Sequence, residues 1–141
     1  MEKSEIRKMI REKLMEGARR QAAGVLIKAK DTGNVLLLLR NDMPRTANTW
    51  ALVGGGIDKG ENILEGLKRE LNEEMSIDPN IITYKFIRTE HTYLDFHYFE
   101  GFVETEFTPT LCEENLDFGW YPKDKLPTPL YPNMGDKIKA I

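Results

Sequence analysis

The longest apolar run in the chain, Val35-Leu36-Leu37-Leu38-Leu39, does not alternate between apolar and polar residues. A strand with one face in solvent would alternate, so this run predicts a central strand that is covered on both faces. A second apolar run, Ala22–Lys28, precedes it, and the residues between the two runs, Asp31–Asn34, are typical of a tight turn. Together the runs predict a β-hairpin inside a sheet that has helices on both sides.

Strand and helix patterns alternate along the rest of the chain. Trp50–Val53 predicts a short strand that stops at the glycines 54–56, and the apolar spacing over 61–75 predicts a helix. Further strands are predicted at 81–88, 93–103 and 118–121, followed by a last helical turn or two within 134–141. Because helices and strands are interspersed, the expected class is α/β, with a mixed β-sheet between helices.

A chain of 141 residues corresponds to one compact domain, which we place at residues 21–141. Within residues 1–20, Ile6, Ile10, Leu14 and Ala18 recur every four residues, a spacing that predicts an accessory amphipathic helix. We expect this helix to pack on its own domain. The alternative is a partner-binding surface, which a second copy of the chain would cover in a homodimer.

The composition narrows the classes of partner. Lys and Arg sum to 20 while Asp and Glu sum to 23, so the net charge of −3 gives no general attraction to nucleic acid or anionic membranes. The apolar runs are far shorter than the roughly 18 residues of a membrane helix, and no membrane partner is expected. The single cysteine, Cys112, excludes an intramolecular disulfide and fits a reducing compartment, which predicts a cytoplasmic protein.

The segment from the three glycines 54–56 to Glu74 carries the most chemical information. It is not a P-loop, because Glu61 stands where the phosphate-binding lysine is needed, and its glycine spacing does not fit the dinucleotide-binding pattern. At about 100° per residue, Glu70, Glu73 and Glu74 share one helix face. Carboxylates suit Mg²⁺ and Mn²⁺, which bridge proteins to phosphates. The pattern predicts a phosphate site made through a metal ion; a solvated helix face is the alternative.

This segment resembles the Nudix box, in which Gly, five residues, Glu, seven residues and Arg-Glu lead to an aliphatic residue, one spacer, Glu-Glu, another spacer, Gly and an aliphatic residue. All fixed positions except one agree: Gly55, Glu61, Arg69, Glu70, Leu71, Glu73, Glu74 and Ile77. Ser76 replaces the second glycine, so we expect a strained left-handed cap or a different helix end. The segment from Glu114 to Tyr121 is similar to the acidic-to-Trp region late in many Nudix domains.

The resemblance implies a Nudix α/β/α sandwich and a pyrophosphohydrolase that depends on Mg²⁺ or Mn²⁺. The implied substrate is a nucleoside diphosphate linked to another group, cleaved by attack of water on phosphorus. A nucleoside triphosphate, a nucleotide sugar such as ADP-ribose, a dinucleoside polyphosphate and a capped RNA 5′ end all remain open. The alternative is a non-catalytic Nudix-like module that binds a nucleotide or a protein, but the intact glutamates favour the enzyme.

The resemblance also implies roles for individual residues. The candidate metal ligands are Glu70, Glu73 and Glu74, with the carbonyl of Gly55 as a further one. Arg69 is expected to orient a glutamate by ion pairing. The general base must reach the attacking water, and Glu73 and Glu70 are the first candidates.

Candidate residues outside the helix come from the flanking segments. Glu114 is the alternative general base. Arg40 and Arg45 either contact phosphate or are ordinary surface arginines, and Trp50 either stacks on a base or lies in the core. Other aromatic residues with the same choice between stacking and a core position are Tyr93, Phe96, Tyr98 and Trp120.

Overall fold

The computed structural model describes residues 3–7, 19–41 and 48–141. Its strands are β1 (Gln21–Ala29), β2 (Val35–Arg40), β3 (Trp50–Ala51), β4 (Val53–Ile57), β5 (Thr83–His91), β6 (Asp95–Val103) and β7 (Asn115–Tyr121). Its helices are α1 (Ile63–Met75), the 3₁₀ turn Pro79–Ile81 and α2 (Met134–Lys139). Residues 3–7 are helical, and the rest of the predicted N-terminal helix lies outside the described residues. No helix in the described ranges has the length and apolar character to cross a bilayer.

The strands form one mixed sheet in the order β3-β2-β1-β6-β5, with β4 also paired to β1 and β7 to β2. β1 and β6 run parallel along the full length of β1. On its other edge, β1 pairs with β2 at Lys28 and Val35, and its first half pairs with β4 instead. The predicted hairpin is therefore confirmed, but its strands diverge and β4 enters the gap.

Helices cover both faces of this sheet, as the apolar run in β2 predicts. Leu36 and Leu38 belong to a buried cluster with residues of α1, whereas Val35 and Leu37 belong to a second cluster with residues of α2. All four of these β2 side chains are buried because the strand alternates between two apolar layers rather than between core and solvent. The α/β sandwich with a mixed sheet between helices is confirmed.

The prediction that a strand stops at Gly54 is wrong. The glycines lie within β4, where Gly54 pairs with Gly24, Gly55 with Ala23 and Gly56 with Ala22. A Cβ on Gly54 would lie 2.1 Å from the carbonyl oxygen of Ala23, so glycine is required for the close approach of these strands. Pairing with β1 satisfies the glycine backbone, and this tertiary contact overrides the tendency of glycine to end a strand.

Helix α1 begins and ends with specific caps. The side chain of Asn62 accepts hydrogen bonds from the backbone N–H groups of Leu64 and Glu65. At the other end, Ser76 has φ 53° and ψ 38°, and its N–H donates to the carbonyl of Asn72. A left-handed cap therefore forms although serine replaces glycine, which is the first of the two alternatives that the sequence left open.

Candidate active site

A cleft of about 1060 Å³ extends from α1, past the glycines of β4, to the sheet face beside α2. Its acidic end is lined by Glu70, Glu73, Glu74, Glu113 and Glu114. Its far end is lined by aromatic and oppositely charged side chains, among them Glu90, Phe96, Tyr98 and Lys137. The glycines 54–56 of β4 line the same cleft. Because they carry no side chains, this strand leaves room for an elongated ligand.

Glu74 is the buried acid of this cleft, with only 9 % of its surface exposed. Its carboxylate accepts a hydrogen bond from the backbone N–H of Gly54. Burial, together with the nearby charges of Glu70 and Glu114, raises the pKa of Glu74 to about 8. A buried carboxylate among other carboxylates is stabilised by a positive charge, so this end of the cleft favours a cation.

Glu70 lies against the backbone of β4. A Cβ built on Gly55 would be 2.5 Å from Oε2 of Glu70, so only glycine leaves room for this carboxylate. Burial raises the pKa of Glu70, and the hydrogen bond from Arg69 opposes that effect. The carboxylate of Glu70 and the main chain of Gly55 are thus adjacent in the cleft wall.

Arg69 connects the loop before α1 to the acidic face of the helix. Its Nε donates to Oε2 of Glu61 at 2.9 Å, and its terminal nitrogens donate to Oε1 of Glu70 at 3.1 Å and to the carbonyl of Gly56 at 3.0 Å. A further bond reaches Oε2 of Glu73 at 3.1 Å. The hydrogen bond to Glu61 makes the largest contribution to raising the pKa of Arg69. Arg69 therefore stays charged and fixes the loop relative to the helix.

The structure brings together most of the acidic residues that the sequence singles out, but not in one tight group. The charges of Glu73 and Glu114 both act on Glu70, and those of Glu70 and Glu114 act on Glu74. Glu73 also turns toward Arg69, and 56 % of its side chain is exposed. In the part of the chain that the structure describes, no three His, Cys, Asp or Glu side chains are arranged to hold a metal ion. The donor set nevertheless fits a hard divalent cation, because it consists of carboxylate oxygens around a buried acid.

The residues predicted to contact the substrate lie in different parts of the structure. Arg40 lines the cleft, and its guanidinium carbon lies 5.0 Å from the centre of the Tyr131 ring. Trp50 is only 8 % exposed and packs edge-on against Tyr121, with 5.4 Å between ring centroids. It belongs to the core on the α2 side and is not among the described residues that line the cleft. Arg45 lies outside the described residues.

Sequence reasoning missed two residues at the far end of the cleft. Nζ of Lys137 donates to Oε2 of Glu90 at 2.7 Å and to the hydroxyl of Tyr98 at 2.6 Å. Glu90 and Lys137 are 47 positions apart in the chain, and neither belongs to a motif. The available signal was their charge, two residues beyond the strand predicted at 81–88 and within the helical turn predicted at 134–141. Charged residues at such positions are equally typical of an exposed surface.

Comparison with known proteins agrees with this geometry. Residues 18–141 match the family model of the NUDIX domain. The chain is 32 % identical over 127 residues to the dihydroneopterin triphosphate diphosphatase of Haemophilus influenzae, covering 76 % of this chain and 77 % of that protein. It is 28 % identical over 100 residues to the mouse 8-oxo-dGDP phosphatase NUDT18, covering 67 % of this chain but only 30 % of the mouse protein.

Among solved structures, the crystal structure of the MutT NUDIX hydrolase from Burkholderia pseudomallei superposes with a TM-score of 0.69 at 23 % identity. The match covers 86 % of this chain and 97 % of that one, and it shows the shared fold. With the family model matched over the whole described sheet and both of its helices, the chain belongs to the NUDIX domain family of hydrolases, which act on phosphoanhydride bonds.

Proposed function

We propose that this protein is a Mg²⁺- or Mn²⁺-dependent pyrophosphohydrolase that cleaves a nucleoside diphosphate linked to another group, with nucleoside triphosphates as the first substrates to test. The observation that carries the proposal is the buried carboxylate of Glu74, placed beside Glu70 and Glu114 in a cleft of about 1060 Å³, a volume that accommodates a nucleotide. The names of two relatives, a dihydroneopterin triphosphate diphosphatase and an 8-oxo-dGDP phosphatase, support substrates with a heterocycle at one end and phosphates at the other.

The proposed metal ligands are Glu70, Glu73 and Glu74, with the carbonyl of Gly55 beside them. Glu70 and Glu74 already face the cleft, and the exposed side chain of Glu73 can leave Arg69 by rotation about its own bonds. When bound there, a divalent cation neutralises the diphosphate and makes water a better nucleophile at neutral pH.

The protein's own groups supply the positioning. Arg69 holds the Glu61 loop against α1, and thereby keeps the Gly55 backbone beside Glu70. The general base is proposed to be Glu73 or Glu70, with Glu114 as the alternative, because all three line the cleft wall near the acidic end. Such a base accepts the proton of the attacking water within hydrogen-bond reach.

Arg40 is proposed to contact a substrate phosphate. Its charge acts on Glu74, and its side chain lines the same cleft. Guanidinium groups suit phosphate oxygens because two parallel N–H donors match them. We do not assign stacking on a base to Trp50, whose ring packs in the core.

Residues 1–20 are proposed to be accessory to this activity. The NUDIX match begins at residue 18, and Ile6, in the short helical segment, is 42 % exposed. The substitution Ile6→Glu should therefore change association with a partner or a second copy rather than turnover. Size-exclusion chromatography of both forms, read beside their kcat/KM, tests this.

The deciding experiment is a panel assay of nucleoside triphosphates, ADP-ribose, dinucleoside polyphosphates and capped RNA with Mg²⁺ or Mn²⁺, in which the phosphate fragments are identified. Hydrolysis should require the metal and be lost on chelation. Glu74→Gln should abolish it, whereas the control Glu104→Gln, which changes an exposed partner of Lys30 outside the cleft, should not. Nucleotide binding without hydrolysis of any substrate would favour the non-catalytic module instead.

A further inference from the structure

The far end of the cleft presents a hydrogen-bond acceptor and a donor side by side. The carboxylate of Glu90 is 30 % exposed and is held by Nζ of Lys137 at 2.7 Å and by a terminal nitrogen of Arg88 at 3.1 Å. Of the acidic residues that line the cleft in the described ranges, Glu90 alone lies away from the acidic end. A fixed, partly exposed carboxylate inside a cleft is a directional acceptor for a ligand.

Glu90 and Lys137 can form more hydrogen bonds than they make within the protein. A carboxylate offers about four acceptor sites, and Lys137 and Arg88 take two of those on Glu90. The Tyr98 hydroxyl is a weak competitor at 3.4 Å. An ammonium carries three N–H donors, and Lys137 uses two on Glu90 and Tyr98. One donor of Lys137 and part of the Glu90 carboxylate therefore remain for a ligand.

The ring of Phe96 lies beside this pair. It packs against the buried ring of Tyr98, with 4.6 Å between centroids and a tilt of 38°. A Cβ on Gly24 would be only 3.0 Å from the Phe96 ring, so the glycine allows this ring to lie close against β1. The flat ring of Phe96 is partly exposed and lines the cleft, where it favours a flat heterocycle.

The register of the sheet gives the distance between the two ends of the cleft. Gly56 pairs with Ala22, Ala22 with Phe96, and Phe96 with Glu90. At about 4.8 Å between neighbouring strands, these three steps place Glu90 about 14 Å from Gly56. That separation is comparable to the length of a nucleotide from its base to its outer phosphates. A substrate with its phosphates at the acidic end can thus extend its base to Glu90.

Resting on the proposed function, we infer that Glu90 and Lys137 select a guanine-type base. The carboxylate of Glu90 accepts hydrogen bonds from the ring N–H and the 2-amino group, and the ammonium of Lys137 donates to the neighbouring oxo group. Adenine presents an unprotonated ring nitrogen and no 2-amino group on the same edge. Its lone pair would face the carboxylate, so the same pocket disfavours it.

The test compares Glu90→Gln with the wild-type chain on dGTP, dITP and dATP at constant Mg²⁺. The wild type should prefer dGTP to dATP, with dITP, which lacks the 2-amino group, between them. Because Glu90→Gln replaces a charged acceptor with a neutral amide, it should lower kcat/KM for dGTP by about tenfold or more and change kcat/KM for dATP far less. The control Glu104→Gln, outside the cleft, should leave all three values unchanged.

A second readout does not depend on hydrolysis. Binding of GMP and AMP to the metal-free protein, followed by NMR or calorimetry, should show a preference for GMP that Glu90→Gln removes. Lys137→Gln is the second variant, for the case in which Glu90→Gln does not fold. It should weaken the binding of GMP more than that of AMP, because it removes the donor to the oxo group. The inference would be overturned if Glu90→Gln lowered kcat/KM or binding equally for all bases, or if the wild type preferred adenine. A GMP preference without any hydrolysis would overturn the proposed function instead.

Discussion

The carboxylate of Glu70 occupies the space that a side chain at Gly55 would fill, since a Cβ there would lie 2.5 Å from Oε2. The neighbouring glycines differ in what surrounds them. A Cβ on Gly54 would meet the carbonyl oxygen of Ala23 at 2.1 Å, and a Cβ on Gly56 would meet nothing within 4 Å. Three consecutive glycines therefore serve different needs: strand pairing at 54, a carboxylate at 55 and no steric requirement at 56.

Gly55→Ala is expected to lower kcat by about 10- to 100-fold with little loss of stability. The new methyl group displaces a flexible carboxylate rather than the backbone, so Glu70 moves while the fold stays, and misplacing a site group is costly to rate. Enzyme assays and thermal unfolding of the same samples measure both effects. Glu104→Gln, at an exposed position outside the cleft, is the control and should change neither. Full activity in Gly55→Ala would show that Glu70 has no role in the active site.

Glu74→Gln should stabilise the metal-free protein at alkaline pH while abolishing activity. The pKa of Glu74 is raised to about 8 in the fold, so the folded chain binds this proton more tightly than the unfolded chain does. The contribution of Glu74 to stability is thus complete below its unfolded pKa and is lost as pH rises toward 8. At about 1.4 kcal/mol per pKa unit the loss reaches at most about 5 kcal/mol.

Urea unfolding of the metal-free forms at several pH values between 5 and 9 measures this effect. The wild-type protein should lose stability over the interval, and Glu74→Gln should lose less. Near pH 9, added Mg²⁺ or Mn²⁺ should restore the free energy of unfolding of the wild-type protein and leave that of Glu74→Gln unchanged. Parallel pH profiles for the two proteins would contradict the assignment of Glu74 as a buried acid that gains from a cation.

Arg69→Lys is expected to reduce activity although the positive charge is kept. The guanidinium contacts Glu61, Glu70, Glu73 and the carbonyl of Gly56 at once, and an ammonium cannot span those positions. We expect a loss of kcat of about tenfold or more, as for other residues that orient ligands. Lys68→Arg, on the same helix outside this network, is the control. An unchanged kcat would show that Arg69 forms only a surface ion pair and does not position the site.

Ser76→Gly should raise the free energy of unfolding by roughly 0.5–1 kcal/mol, because Ser76 adopts φ 53° and a left-handed backbone disfavours a residue with a Cβ. The gain is partly offset by the greater freedom of glycine in the unfolded chain. Denaturant unfolding measures it. Ser76→Ala keeps the strain and should show no gain. Stabilisation by alanine as large as that by glycine would show that backbone strain is not the cause.

The sequence by itself determined the layered fold and the acidic side of the site. The unbroken apolar run of β2 requires cover on both faces, and helical periodicity places Glu70, Glu73 and Glu74 on one face of α1 whatever else surrounds it. These are local properties, since they depend only on spacing within one strand or one helix. For the same reason the pairing of Arg69 with a glutamate four positions away was predictable.

The tertiary structure decided which of these residues are buried and what lies opposite them. Pairing with β1 makes the glycines 54–56 part of a strand, and packing against Tyr121 takes Trp50 out of the cleft. Glu90 and Lys137 meet only because strand register and the docking of α2 bring distant segments together. Such contacts depend on pairing between strands far apart in sequence, and neither charge nor periodicity within one segment specifies that pairing.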